Sequence, residues 1–533
     1  MGKPHKKLGV PDDPQFQLFG GVPEQLEQQR LRTALESGRR FVTGDPRGIF
    51  LGTTRLEDYL LQSGQTDPFE IAKLLDAQDW STFEARYAPT GRAPYSPRLM
   101  LGLILYGVMQ GVHSLRELER LSRLDLGCMW VTGGISPDHA NIGRFIVLHE
   151  ESLTTTFFES LTHDLLRKTG STSERLAGDG TVIEAACSHY RKLKAEAIRA
   201  RAEAAEAALK DDPDDPGAQE EKADSDRYLK VLEEREKARK RSGRSSDTLA
   251  ISATEPDAMI QPAKRGRGIA ASYKPSILAN RNRIITAIAL DPSSETKVVA
   301  ALLDQSRRVT GAQPEELLLD AGYFDNSVIA ATLERDISLL CPDGKMPGEV
   351  KQGKVYAKSQ FVYDEASDSY RCPAGQLLSK LREKAATELK EAYATYGTKA
   401  CKHCPSRADC VTAQRGRRIE RFATDAQRDA LRAVMEQSKV KAIFAQRQAM
   451  VEPVFSNLRG KQGLNRFRRK GLPAIKREFA LHAIAHNISR ALALLRALIC
   501  MLMAIWGSIC RSEERIAVPN YANRSVGPRY AVD

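Results

Sequence analysis

From residue 447 to 471 the chain reads RQAMVEPVFSNLRGKQGLNRFRRKG, a single carboxylate, Glu452, ahead of a run of cations that includes Arg459, Lys461, Arg466, Arg468, Arg469 and Lys470. A surface helix that needed only solubility would mix its charges, whereas one acid leading a block of bases is the pattern of a metal ligand beside a phosphate track. Two upstream acids are candidate partners, Asp179 in LAGDGTVIEA and Asp320 in ELLLDAGYFD. Hard oxygen ligands of this kind suit magnesium or manganese, which keep several waters and bind through a few carboxylates plus substrate phosphate. Two such ions about 4 Å apart can drive an in-line phosphodiester displacement. Taken singly, each acid reads first as a strand-end cap or turn residue, so the chemistry depends on elements that gather all three.

A second constellation is Cys372 in YRCPAG with Cys401, Cys404 and Cys410 in CKHCPSRADC. C-x-x-C with two further cysteines in a polar segment fits four thiolates around a structural zinc. The spacing is irregular for a standard ribbon, His403 competes as a ligand, and free thiols or a disulfide are the alternatives. Cys128, Cys187, Cys341, Cys500 and Cys510 read as buried thiols. His482 and His486 have ligand spacing, four apart, but no third ligand is evident, and they read as the polar flank of a core helix. No Walker-type glycine loop occurs, so nucleotide use has no support.

With 533 residues the chain calls for roughly three or four units, or one large domain with insertions. A net charge of +12 with clustered bases favours a nucleic-acid partner. Nine unevenly spread cysteines do not make a disulfide scaffold, which points to the cytoplasm. MGKPHKKLGV lacks the apolar stretch of a secretory signal. LALLRALICMLMAIWGSIC is interrupted by Arg496, and the remaining run is shorter than the roughly 18 residues a span needs. It reads as a buried helix, with no membrane partner.

The elements follow from periodicity. Residues 1–55 lack a sustained period and read as a loosely ordered arm. Residues 56–170 are helical: LMLGLILYGVMQG is apolar, Ser114 and Glu117 form a capping box, and Ser136 and Pro137 open DHANIGRFIVLHEESL. The short VTGGI connection suits a helix-turn-helix that binds DNA, or equally an ordinary bundle. RLAGDGTVIEA reads as a strand with Asp179, Thr181 and Ile183 on one face, and IAASYKPSILANRNRIITAIALDP as a hairpin turning at NRNR. Between them, residues 191–249 read as a charged helical hairpin broken at DDPDDPG. ELLLDAGY gives a short buried strand, Asp325 a helix N-cap, and residues 346–424 a cysteine-rich insertion. The last helix carries an apolar seam through Leu481, Ile484, Ile488, Leu492, Leu495, Ile499, Leu502 and Trp506.

At these residues the chain resembles a known family. GDGTVIEA, LLLDAGYFD and VEPVFSNLRGKQGLNRFRRKG, followed by HNISRAL, look like the three blocks of bacterial insertion-sequence transposases of the DDE class. GRAPYSPRLMLGLILYGVMQGVHSLRELERL and GGISPDHANIGRF are similar to the helical N-terminal region of the same enzymes, and the likeness runs in matching order over roughly residues 80 to 500.

The resemblance implies an α/β fold: a ribonuclease H-like core with a mixed sheet flanked by helices, assembled from 171–190, 250–345 and 425–510. An all-α DNA-binding domain precedes it, the two insertions interrupt it, and residues 511–533 form a tail. Asp179, Asp320 and Glu452 would be the triad for magnesium or manganese, flanked by Arg447 and Arg459, with Lys461 and the cluster from Arg466 to Lys470 neutralising DNA phosphates. Arg459 stands where relatives commonly have Lys; it keeps the charge and adds a bidentate phosphate contact. Pro453 places Glu452 at a helix start or kink. The implied reaction hydrolyses the phosphodiester at a mobile element's end, after which the freed 3′-hydroxyl attacks target DNA. Double-stranded DNA with terminal inverted repeats is the implied partner, and pairing two ends implies a homodimer. A metal-dependent nuclease of the same fold and an inactive, transposase-derived DNA-binding protein are the rival readings.

Overall fold

Stretches such as IAASYKPSILAN bury side chains of both parities and lack helical spacing, which only a strand covered on both faces satisfies. The structure, a computed structural model, describes residues 40–516 apart from 90, 189–190, 242–244, 247–248, 263–267, 345–355, 357, 387–391, 412 and 415. Most of the expected N-terminal arm, the end of the C-terminal tail and the Cys510 side chain lie outside the described residues.

The N-terminal part is helical. α1 (Pro97–Met109) buries almost every side chain, and α2 (Leu115–Leu124), α3 (Leu126–Thr132) and α4 (His139–Leu148) pack around it. Two caps differ from expectation. Ser114 occupies the N-cap position of α2, but its side chain makes no capping hydrogen bond. α4 opens at Asp138 instead of Ser136, because the Asp138 carboxylate accepts from the Asn141 N–H at 2.6 Å and supplies a charge-assisted cap. After α5 (Thr156–Thr169) the chain enters β1 (Arg175–Gly180).

Between β1 and the rest of its sheet lies the charged insertion. α6 (Ala195–Asp211) and α7 (Pro216–Arg241) form an antiparallel pair, broken where the DDPDDPG run predicts. A small apolar core of Ile198, Tyr228, Leu232, Leu249 and Ile251 holds it together.

β2 (Ile269–Asn280) and β3 (Ile285–Asp291) make the expected hairpin. Arg283 takes a positive φ of 64° at the turn, and the Asn280 side chain accepts from Ile284 N–H at 3.0 Å. α8 (Val299–Thr310), β4 (Glu316–Leu318) and β5 (Ser338–Leu340) complete the layer. The central order is β3–β2–β1–β4–β5, antiparallel across β3–β2–β1 and parallel across β1–β4–β5. β1 stops at Gly180, earlier than RLAGDGTVIEA suggests, and Ile183–Glu184 pairs separately with the first half of β2.

Residues 346–424 hold an antiparallel five-stranded meander, Val362–Asp364 through Arg418–Phe422, over its own core of Phe361, Tyr370, Leu378, Tyr396 and Ile419. Polar composition hides this sheet, since its apolar residues are few and mostly aromatic.

α9 (Gln446–Arg459) lies against β1 and β2, and α10 (Leu472–Ile516) packs on α1, α5 and α9. The apolar seam of α10 is only partly used. Leu481, Ile484, Ile488 and Leu492 are buried, but Ile499, Leu502 and Trp506 are exposed, as is Cys500. The reading of that stretch as a buried helix is therefore corrected: the helix outruns the core it packs on. Leu472–Trp506 is long and apolar enough to cross a membrane by length and composition.

Candidate active site

Asp179 is the penultimate residue of β1, a strand with neighbours on both sides. The parallel register pairs Glu316 with Arg175 and Leu318 with Ala177, and its continuation sets Asp320 across from Asp179. Asp320 leaves the sheet directly after β4 and caps a short 3-10 turn, Ala321–Tyr323, accepting from Gly322 N–H at 2.8 Å. Two acids 141 positions apart thus meet at one sheet edge through strand pairing alone.

Arg447, in the first turn of α9, reaches both. Its Nη2 stands 3.1 Å from Asp179 Oδ1 and 3.8 Å from Asp320 Oδ2, and the guanidinium also donates to the Gly178 carbonyl. The Arg447 side chain is 10 % exposed against 21 % and 45 % for the two aspartates, so the pair opens to solvent on the Asp320 side. The Cys341 thiol donates to the Asp320 carbonyl at 3.1 Å, and burial pushes that thiol up to about 12.

Glu452 is exposed in the middle of α9, neither at its start nor at a break. Pro453 sits inside the helix and cannot donate to the Ala449 carbonyl four residues back. Arg283 replaces that donor: its Nε bonds to the Ala449 carbonyl at 3.1 Å, so the hairpin turn repairs the helix that proline opens. Further along α9, Arg459 donates to the Thr181 hydroxyl and to the Val182 carbonyl. Arg447 and Arg459 therefore fasten α9 to residues 178–182, with Glu452 between them. The structure brings Asp179 and Asp320 together and leaves Glu452 apart. Among the described residues, no three His, Cys, Asp or Glu side chains stand close enough to hold a metal ion together.

The basic run divides in two. Arg466 is exposed, but its guanidinium is engaged, donating to the Ala185 and Cys187 carbonyls, and Arg469 is half-buried. Lys461, Arg468 and Lys470 are exposed as well, and their charged groups take no part in these carbonyl contacts. Two buried acids missed by sequence reading set the course of this loop. Glu478 accepts from the backbone N–H groups of Arg468 and Arg469 at 3.0–3.1 Å, and Glu255 accepts from Gly471 N–H at 3.0 Å and from the Tyr273 hydroxyl at 2.7 Å. Neither carries a local signal, since their partners lie in loops that fold alone does not announce.

The four thiols of the cysteine module, expected to surround a zinc, do not form a cluster that could hold a metal ion among the described residues. Cys410 is pushed up by burial and, after the lowering effect of Arg417, by Cys401, Cys372 and Cys404. Gln376 N–H donates to Cys372 Sγ at 3.2 Å, and Cys372 and Cys410 lie against the aromatic core. Cys128, Cys187 and Cys341 are buried as expected. His482 and His486 do not flank the core helix but lie inside it, at 1 % and 4 % exposure, bonded to the Gln462 side chain and the Arg283 carbonyl respectively.

Comparison with known families gives two matches. Residues 371–492 match the Transposase DDE domain, and residues 62–147 match the Transposase domain DUF772. Glu452, the cysteine module's thiols and the basic run fall in the first match, and α1 through α3 in the second. No curated protein matches the chain.

Proposed function

We propose that the chain is an insertion-sequence transposase of the DDE class, an enzyme that cuts and joins DNA, supported by its matches to the Transposase DDE domain and the DUF772 transposase domain, and that Asp179, Asp320 and Glu452 hold its catalytic divalent cations. The carrying observation is that Asp179 and Asp320 already share one positive charge, the Arg447 guanidinium, at the open edge of the sheet. Two hard oxygen donors at one end of the sheet suit magnesium or manganese in donor type. When bound there, such an ion polarises the scissile phosphate and lowers the cost of charge on the attacking and leaving oxygens. Glu452, exposed between two anchored arginines, closes the set when DNA arrives. The sheet order β3–β2–β1–β4–β5 supports a ribonuclease H-like core.

The chain's own residues then supply the rest. Arg447 keeps the two aspartates from repelling each other, and Arg459 fixes the β1 exit against α9. Lys461, Arg468 and Lys470 take backbone phosphates on either side of the scissile bond, on a loop whose peptide groups Glu478 and Glu255 hold. Cys372, Cys401, Cys404 and Cys410 would be the ligands of one structural zinc, and their arrangement would have to tighten to hold it. Pairing two element ends calls for a homodimer acting in the cytoplasm.

The test is a strand-transfer assay on DNA carrying the inverted repeats that flank the gene. Wild type cleaves and joins in magnesium, and Asp320→Asn does neither while retaining DNA binding. Cleavage without joining by wild type would favour a nuclease, and binding without cleavage an inactive regulator.

A further inference from the structure

The turn between α1 and α2 meets the basic loop beside a cavity of about 360 Å³. The two segments touch: a Cβ built on Gly111, in the turn, would come within 2.9 Å of the Lys461 carbonyl oxygen, and the His113 and His482 rings stand edge to face with centroids 5.5 Å apart. Ile104, Leu118 and Leu481 give the cavity an apolar lining, and Ser114, Arg468, Arg469 and His482 a polar one.

The polar lining consists of donors that the fold leaves idle. Ser114 heads the ten-residue helix α2 without capping it, so the first-turn N–H groups have no side-chain acceptor at the end of the helix that faces the cavity. The Arg468 and Arg469 guanidinium groups make no hydrogen bond or ion pair among the described residues. His482 is 1 % exposed. The Gln462 amide donates to its Nδ1 at 2.9 Å and accepts from the His486 N–H at 3.1 Å, which puts the ring proton on Nε2. That Nε2 finds no partner, and neither does His113 Nδ1, although the two rings touch. A buried donor without an acceptor is costly, and such a group in a native fold marks a place where something else binds. Glu478, the one carboxylate in the lining, is already committed, since its oxygens accept from the backbone N–H groups of Arg468 and Arg469. The missing group is therefore an anion with several acceptor oxygens, and a helix N-terminus beside two guanidinium groups suits a phosphate.

We propose that this cavity holds a phosphate group of bound DNA, gripped from one side by the α2 N-terminus and from the other by Arg468, Arg469 and His482, so that DNA ties the N-terminal helices to the basic loop. Assigning the phosphate to DNA rests on the function proposed above; the anion site does not. The test is calorimetric titration of the full chain with inorganic phosphate, in the absence of metal, before and after saturation with duplex DNA. Wild type is expected to bind phosphate and to lose that binding in the DNA complex. Arg469→Gln and Ser114→Asp are each expected to weaken phosphate binding by about tenfold or more, the worth of a lost charged hydrogen bond. Ser114→Asp also supplies α2 with the cap it lacks, so its melting temperature should hold or rise, and weaker binding there cannot be put down to unfolding. Unchanged phosphate affinity in both variants, or no binding by wild type, overturns the site, while DNA binding through Lys461 and Lys470 would leave the proposed function standing. Phosphate binding that persists undiminished in the DNA complex overturns DNA as the source and makes the cavity a site for a free phosphate.

Discussion

At the scale of single residues, the division of labour on α9 sets the sharpest expectations. Glu452 is exposed and makes no packing contribution that its amide would lose, so Glu452→Gln should abolish cleavage and leave DNA affinity nearly intact. Unchanged cleavage in that variant would remove Glu452 from the mechanism. Arg447 behaves differently, because it is buried and bonded to Gly178 and Asp179. Arg447→Met should lower stability by about 2 kcal/mol, the scale of a lost charged hydrogen bond. Added Mn²⁺ should recover more of that loss than it adds to wild type, since the ion then takes over the positive charge; equal gains in calorimetric melts would separate Arg447 from the cation site. Residue types made the acids legible, but no residue type announces that an arginine lies between them.

At the scale of elements, α10 carries titratable groups that its apolar seam conceals. His482 is held down to about 3 and His486 to about 4, in both cases chiefly by burial, and His149 beneath the N-terminal helices to about 4. These histidines are neutral in the fold and take up protons once unfolded. Their stabilisation is complete above about pH 6.5 and is lost as pH falls toward 4, at up to about 1.4 kcal/mol per pH unit for each. Chemical denaturation across that window should show the decline, and His486→Gln should make it shallower. A flat stability profile between pH 6.5 and 4 would contradict the buried placement. On α9, the proline that argued for a kink is accommodated because Arg283 arrives from a hairpin 166 residues away. Local rules were right about the lost bond and silent about its replacement.

At the scale of the whole molecule, DNA affinity is a sum over exposed cations, and the bonds a cation already makes within the fold decide how much it counts. Substituting Lys461, Arg468 or Lys470 by Ala should each reduce the salt-dependence slope of DNA binding by about 0.9. Arg466→Ala should instead lower stability, because its guanidinium is engaged with the Ala185 and Cys187 carbonyls; a slope change equal to that of Lys470→Ala would reverse this assignment. The cysteine module makes a separate prediction. Elemental analysis of the full chain should find one zinc per chain, absent in Cys404→Ser; a zinc-free wild type with four titratable thiols would leave the meander to its aromatic core alone.

The chain by itself determined the strands and helices with strong periodicity, the β2–β3 hairpin, the charged helical pair and the acids and bases that could do chemistry. Those signals are local: side-chain spacing, turn residues and charge order act within a few turns of chain. Tertiary structure alone decided that the register between β1 and β4 sets Asp320 opposite Asp179 and that Arg447 bridges them. It also decided that Arg459 and Arg466 are tied to carbonyls near the end of β1 and that the apolar seam of α10 outlasts its core. Such facts depend on which surfaces meet, and contact between distant segments leaves no period in the sequence to be read.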